Sequence, residues 1–173
     1  MVTPSSGPGE WVLLNYRLPR EPSTPRIAVW RKLRRLGVVQ PSDGLVALPA
    51  DVRTREHMEW VAGDVREADG TATVWLARPV SAAQERELAT AMAGARAAEY
   101  AALRQEAEAA RILPEAERVR AVRRLRNELR RIRRRDFFPP PERDAAVAAL
   151  DELAATTASA PAEPEATRTG SVR

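Results

Sequence analysis

Between residues 11 and 79 the apolar side chains alternate between two rhythms, and that alternation limits what the chain can fold into. "WVLLNYRLP" has the period of two of a strand, with Val12, Leu14, Tyr16 and Leu18 on one face. Trp11, Leu13, Asn15 and Arg17 fall on the other face, and Pro19 ends the run. "STPRIAVWRKLRRLG" switches to helical spacing. Ile27, Val29, Trp30, Leu33 and Leu36 make a broad stripe that places Trp30 in the core. Ser23 or Thr24 suits its cap, Pro25 its first turn and Gly37 its exit. "VVQPSDGLVALP" is a hairpin about Pro41-Ser42-Asp43-Gly44. Met58, Val61, Val65 and Ala68 then mark a second helix, which Gly70 can close, and "TATVWLARPV" is a last strand.

The order β-α-β-β-α-β predicts an α+β fold, a ferredoxin-like antiparallel sheet with two helices on one face. A helical extension follows. Ser81 and Gln84 suit a capping box, and an Ala- and Glu-rich helix runs to about Arg111. Pro114 restarts the chain as a helix from about Glu115 to Arg135, with Val119, Val122, Leu125, Leu129 and Ile132 in one narrow seam. "FFPPP" breaks it, and a short helix with Val147, Leu150 and Leu153 follows. The expected organisation is a disordered N-terminus over 1–9, a ferredoxin-like core over 10–80, a helical extension over 81–155 and a disordered tail over 156–173.

Several function classes are disfavoured by what the chain lacks. There is no cysteine, and His57 is the only histidine, so thiol chemistry, disulfides and multi-histidine metal sites have nothing to build on. No Gly-rich phosphate loop and no marked carboxylate pair is present. The expectation is a non-enzymatic protein without metal or cofactor. No apolar run approaches the ~20 residues of a membrane span, and no signal peptide opens the chain, so a cytoplasmic protein is expected.

The formal charge of +4 is unevenly placed. Ten arginines lie between Arg118 and Arg135, with Glu128 the one acid among them. Lys32 is the only lysine among the 28 basic residues, a bias that a GC-rich genome also produces. Arg123, Arg126, Arg130 and Arg133 form a row beside the seam with Arg134 nearby, while Arg120, Arg124 and Arg131 fall on other sides; the row, Arg131 and Arg134 are the candidate nucleic-acid contacts. Such a field attracts polyanions. The plainer alternative is a solvated helix face, or one paired with Glu99, Glu106 and Glu108. Like charges at i,i+4, as in Arg126 with Arg130, repel and favour an anionic partner. On the first helix Arg31, Lys32, Arg34 and Arg35 could add phosphate contacts. DNA is therefore the first partner considered. A homodimer through Leu125, Leu129 and Ile132 is the alternative. Phe137 and Phe138 anchor the helix end rather than stack on bases.

Leu18-Pro19, then Arg26, Trp30, Arg31, Leu33, Leu36 and Gly37, then Leu48-Pro49, form an ordered set that resembles the opening of the ChrB proteins, regulators associated with bacterial chromate resistance. Asp136-Phe137-Phe138-Pro139 resembles the close of that family's N-terminal module, and the resemblance spans roughly residues 10 to 153. It implies a regulatory role and a stand-alone N-terminal module, without the C-terminal chromate-resistance domain of full-length members, and it brings in chromate or another oxyanion on the clustered guanidinium groups as a third partner. The same β-α-β-β order resembles small ferredoxin-like nucleases of CRISPR systems. Those carry an Asp at the end of the first strand, where this chain has Asn15-Tyr16-Arg17.

Overall fold

The computed structural model describes residues 9–158. The expected loose stretch 1–9 and tail 156–173 lie outside those residues, apart from Gly9 and the end of the last helix. Strand β1 (Trp11–Arg17) leads to helix α1 (Ser23–Leu36), strands β2 (Val39–Ser42) and β3 (Leu45–Pro49), helix α2 (Val52–Glu67) and strand β4 (Thr71–Ala77). Helices α3 (Ala82–Ala110), α4 (Glu115–Arg133) and α5 (Glu142–Ala158) complete the chain. The protein is thus α+β, with one four-stranded antiparallel sheet in the order β2-β3-β1-β4.

The register explains which residues meet. Val12 pairs with Leu48 and Leu76, and Leu14 with Val46 and Val74, so one face of the sheet is uniformly apolar. Val29 and Leu33 of α1 and Met58, Val61, Ala62 and Val65 of α2 bury it. Trp11 points to the other face, where Leu88 and Met92 of α3 join the same core. The hairpin forms as expected. Gly44 takes a left-handed φ of 72°, and its carbonyl accepts from the Tyr16 amide at 2.7 Å. A second core is built from α3, α4 and α5, around Tyr100, Leu103, Leu125, Ile132, Leu150 and Leu153. Leu129 lies there too, so the α4 seam from Val122 to Ile132 is filled within the chain, while Val119, expected in the seam, is 45% exposed.

Three local expectations are corrected. Trp30 is not core: it is 38% exposed, because α1 seats on the sheet through Val29 and Leu33, four residues apart, and turns Ile27 and Trp30 to its flank. Neither Ser23 nor Thr24 caps α1. Pro22 holds the N-cap position with no side-chain bond, and helical geometry begins at Ser23. At the end of α2 the left-handed residue is Asp69, not Gly70. Gly70 is needed for close approach instead, since a Cβ there would meet the Arg17 carbonyl oxygen at 2.6 Å. Gly37 does close α1 as expected, with φ 79°. No helix among the described residues is long and apolar enough to cross a membrane.

Candidate functional site

Helix α4 forms because its apolar residues recur at three and four while its ends suit the helix dipole. Glu115 and Glu117 lie in the first turn, and Arg130, Arg131 and Arg133 in the last. Ala121, Val122, Leu125, Leu129 and Ile132 are buried against α3 and α5, so every arginine that is not turned inward must face water. Phe137 and Phe138 pack on the first core, and the Phe138 ring stacks on Trp11 at 6.0 Å between centroids. They are anchors, and the end of α4 is fixed to the sheet unit.

The ten arginines divide by partner. Arg118 donates to the Leu113 carbonyl at 3.1 Å, and Arg135 donates to Glu99 at 3.1 Å. Arg124 pairs with Glu106 of α3 at 2.5 Å, and Arg131 with Glu128 at 3.3 Å. Arg130 bonds the neutral amide of Asn127. Among the described residues Arg120, Arg123, Arg126, Arg133 and Arg134 have no side-chain hydrogen bond or ion pair, and all five are exposed. Arg123, Arg126 and Arg130 share a groove of about 290 Å3 with Asn127 and with Thr157 of α5.

The α1 residues are not gathered as one set. Lys32 is held by Asp64 of α2 at 2.5 Å, an exposed pair worth about 0–1 kcal/mol. Arg31, Arg34 and Arg35 are exposed. Of these, Arg35 alone meets the α4 set: it lines a groove of about 330 Å3 with Arg134, Arg53 and His57. Arg31 and Arg34 do not line it. The sequence-predicted residues therefore form an α4 row that reaches α1 at Arg35.

A further group was not visible from sequence. Where the two cores meet, Tyr100 donates its hydroxyl to Asp136 at 2.7 Å, and the Asp136 side chain is only 1% exposed. Arg143 approaches the same carboxylate at 3.8 Å. Beside them Glu99 accepts from Arg96 at 3.2 Å and from Arg135 at 3.1 Å. Burial pushes Arg96 below its ordinary pKa, with the Glu99 charge opposing. Burial, the bond to Asp136 and that carboxylate's charge push the Tyr100 phenol up to about 12. Arg96, Glu99 and Tyr100 share one side of α3 by their spacing, but only the fold brings Arg135 and Asp136 to them. The advance signals were Asp136, an acid directly after the arginine run, and Glu99, an opposite charge available to that run.

Among the described residues no group of three His, Cys, Asp or Glu could hold a metal ion. His57 lies against Trp60, with ring centroids 5.7 Å apart.

Comparison with known proteins bears on this arrangement directly. The family described as "Protein ChrB, N-terminal" matches residues 26–162, a span that includes α1 from Arg26 and all of α4. Protein ChrB of Cupriavidus metallidurans is 34% identical over 140 residues, covering 79% of this chain and 43% of that protein. The chain thus spans less than half the length of this curated relative. No solved structure matches. With both basic helices inside the matched span, the chain belongs to the ChrB N-terminal family.

Proposed function

We propose that this ChrB-family chain is a non-enzymatic regulator in chromate resistance that binds duplex DNA through the exposed row of α4. The observation that carries this reading is the row itself. Arg123, Arg126, Arg133 and Arg134 have no acidic partner, on a helix whose apolar side is sealed and whose end is fixed. Unpaired guanidinium groups on a rigid element suit phosphates, because little order is lost on binding and counterions are released. Arg35 and Arg53 would extend the contact where α1 and α2 meet Arg134. Such contacts position a protein without reading bases. The sheet order, seen from its other edge as β4-β1-β3-β2, supports a ferredoxin-like core as the platform.

The test is fluorescence anisotropy of a labelled duplex over a salt series. Affinity should fall steeply with salt, and Arg126→Ala or Arg134→Ala should each lower the slope by about 1. Arg124→Ala, which removes a group already paired with Glu106, should lower it less. Absence of duplex binding at low salt would refute the reading.

A tetrahedral oxyanion such as chromate is the second reading, favoured by the three arginines of the α4–α5 groove. Calorimetry with chromate and sulfate separates it from general charge attraction, because equal and weak binding of both would leave only the latter.

A further inference from the structure

Another concavity lies on the opposite flank of α1. The end of β1, the first turns of α1 and the β2–β3 turn enclose an open cleft of about 870 Å3. That size suits a small organic ligand, for which ~300–1,000 Å3 is usual. None of its lining residues lines the α4–α5 groove or the Arg35–Arg134 groove.

Trp30 is the reason to suspect a ligand here. The rhythm of α1 suits it to the core, yet it stands 38% exposed on the cleft wall. Tyr16, half-buried, lines the same wall. Arg26 is near enough for its charge to oppose the upward push that burial exerts on the Tyr16 hydroxyl. Among the described residues Arg17 and Arg26 have no side-chain hydrogen bond or ion pair, and Asp43 is the one acid in the lining. Asn15 and Gln40 add amides that can donate and accept. Open aromatic faces, unpaired guanidinium groups and amides within one cleft are complementary to a flat heteroaromatic ring that carries an anionic group.

We propose that this cleft binds a nucleotide unit, its base against Trp30 and Tyr16 and its phosphate on Arg26. The same chemistry would come from a free mononucleotide or from an unpaired nucleotide of a single strand. The cleft shares no residue with the α4 surface, so either site can fail without the other.

Calorimetry on the full chain tests it, with deoxyadenosine 5′-monophosphate, deoxyadenosine and inorganic phosphate as separate titrants. The mononucleotide should bind saturably and about tenfold or more tighter than either part. Trp30→Leu and Arg26→Gln should each weaken it by about tenfold, and Arg26→Gln should leave deoxyadenosine unaffected. Both positions are exposed, and unchanged melting would show that the variants fold. A single-stranded oligodeoxyadenylate, titrated into the Arg126→Ala, Arg130→Ala chain, identifies the source: tighter binding than the mononucleotide means the strand, equal or weaker binding the free nucleotide. Three results would each overturn the proposal. They are no saturation at millimolar mononucleotide, binding no tighter than phosphate, or binding unmoved by both substitutions.

Discussion

Removing one hydroxyl, in Tyr100→Phe, should cost this protein more than most surface changes. Tyr100 is fully buried, and its O–H is the hydrogen bond that Asp136 Oδ2 accepts, at 2.7 Å. Arg143 stands 3.8 Å from that same Oδ2, and the other oxygen, Oδ1, is buried without a partner. The substitution leaves the packing ring in place and a nearly enclosed carboxylate with one long ion pair. Hydrogen bonds to charged groups are worth about 1.5–3 kcal/mol, and a buried acceptor left unmet costs a similar amount. A loss of about 2–3 kcal/mol is expected, which for a chain of this size lowers Tm by roughly 5–10 °C. Urea unfolding followed by circular dichroism measures it. The pH dependence supplies a second readout. The folded phenol is raised to about 12 from its ordinary 10.0. Below pH 10 it is neutral folded and unfolded, so its contribution is fully present. Between about pH 10 and 12 the unfolded chain gives up its proton first, and stability declines. Tyr100→Phe should lack that portion of the alkaline decline, leaving the part due to Tyr16, which burial also raises. A loss under about 0.5 kcal/mol, the range of ordinary surface changes, with an unchanged alkaline profile, would refute the view that this bond holds the two cores together.

Two further outcomes follow from backbone geometry. Gly37→Ala should destabilise by about 1–3 kcal/mol, because φ is 79° and a Cβ would lie 2.8 Å from the Arg135 Cβ; thermal melting checks it. Asp51→Ala should cost about 1 kcal/mol by removing the box in which Asp51 and Thr54 cap α2. The Thr54 amide holds the Asp51 carboxyl below its ordinary value of 3.8, so this contribution is present above that value and fades as pH falls through the lower folded one. Acid titration of the parent and variant chains should therefore converge at low pH.

What was legible in the sequence depended on how local its cause was. The order of elements followed from rhythm alone, since a period of two and a period of three to four cannot occupy the same backbone. Gly37 and Gly44 were legible because positive φ is a property of a single residue. The helical seam of α4, apart from the exposed Val119, was legible for the same reason as the strands. Trp30 was not, since α1 has more apolar residues than the sheet can cover, and which ones turn away is decided by how the helix seats. The division of the arginines was equally hidden. Glu99 and Glu106 were legible as opposite charges on the preceding helix, but nothing near Arg124 or Arg135 in the chain marks those two arginines as the ones they engage. The Tyr100–Asp136 bond joins residues 36 positions apart and belongs to the fold rather than to either segment.

Helix α3 has a consequence for how the molecule comes apart. Its 29 residues extend about 44 Å. Met92 is built into the first core, and Tyr100 onward into the second. Two separate cores would ordinarily melt as two separate units. Here each contains a part of the same uninterrupted helix, so neither can dissolve without fraying a support of the other. Unfolding cooperativity in this chain is carried along a backbone, where larger proteins obtain it by pressing two surfaces together. The direction in which the arginine row points is set by the same spine.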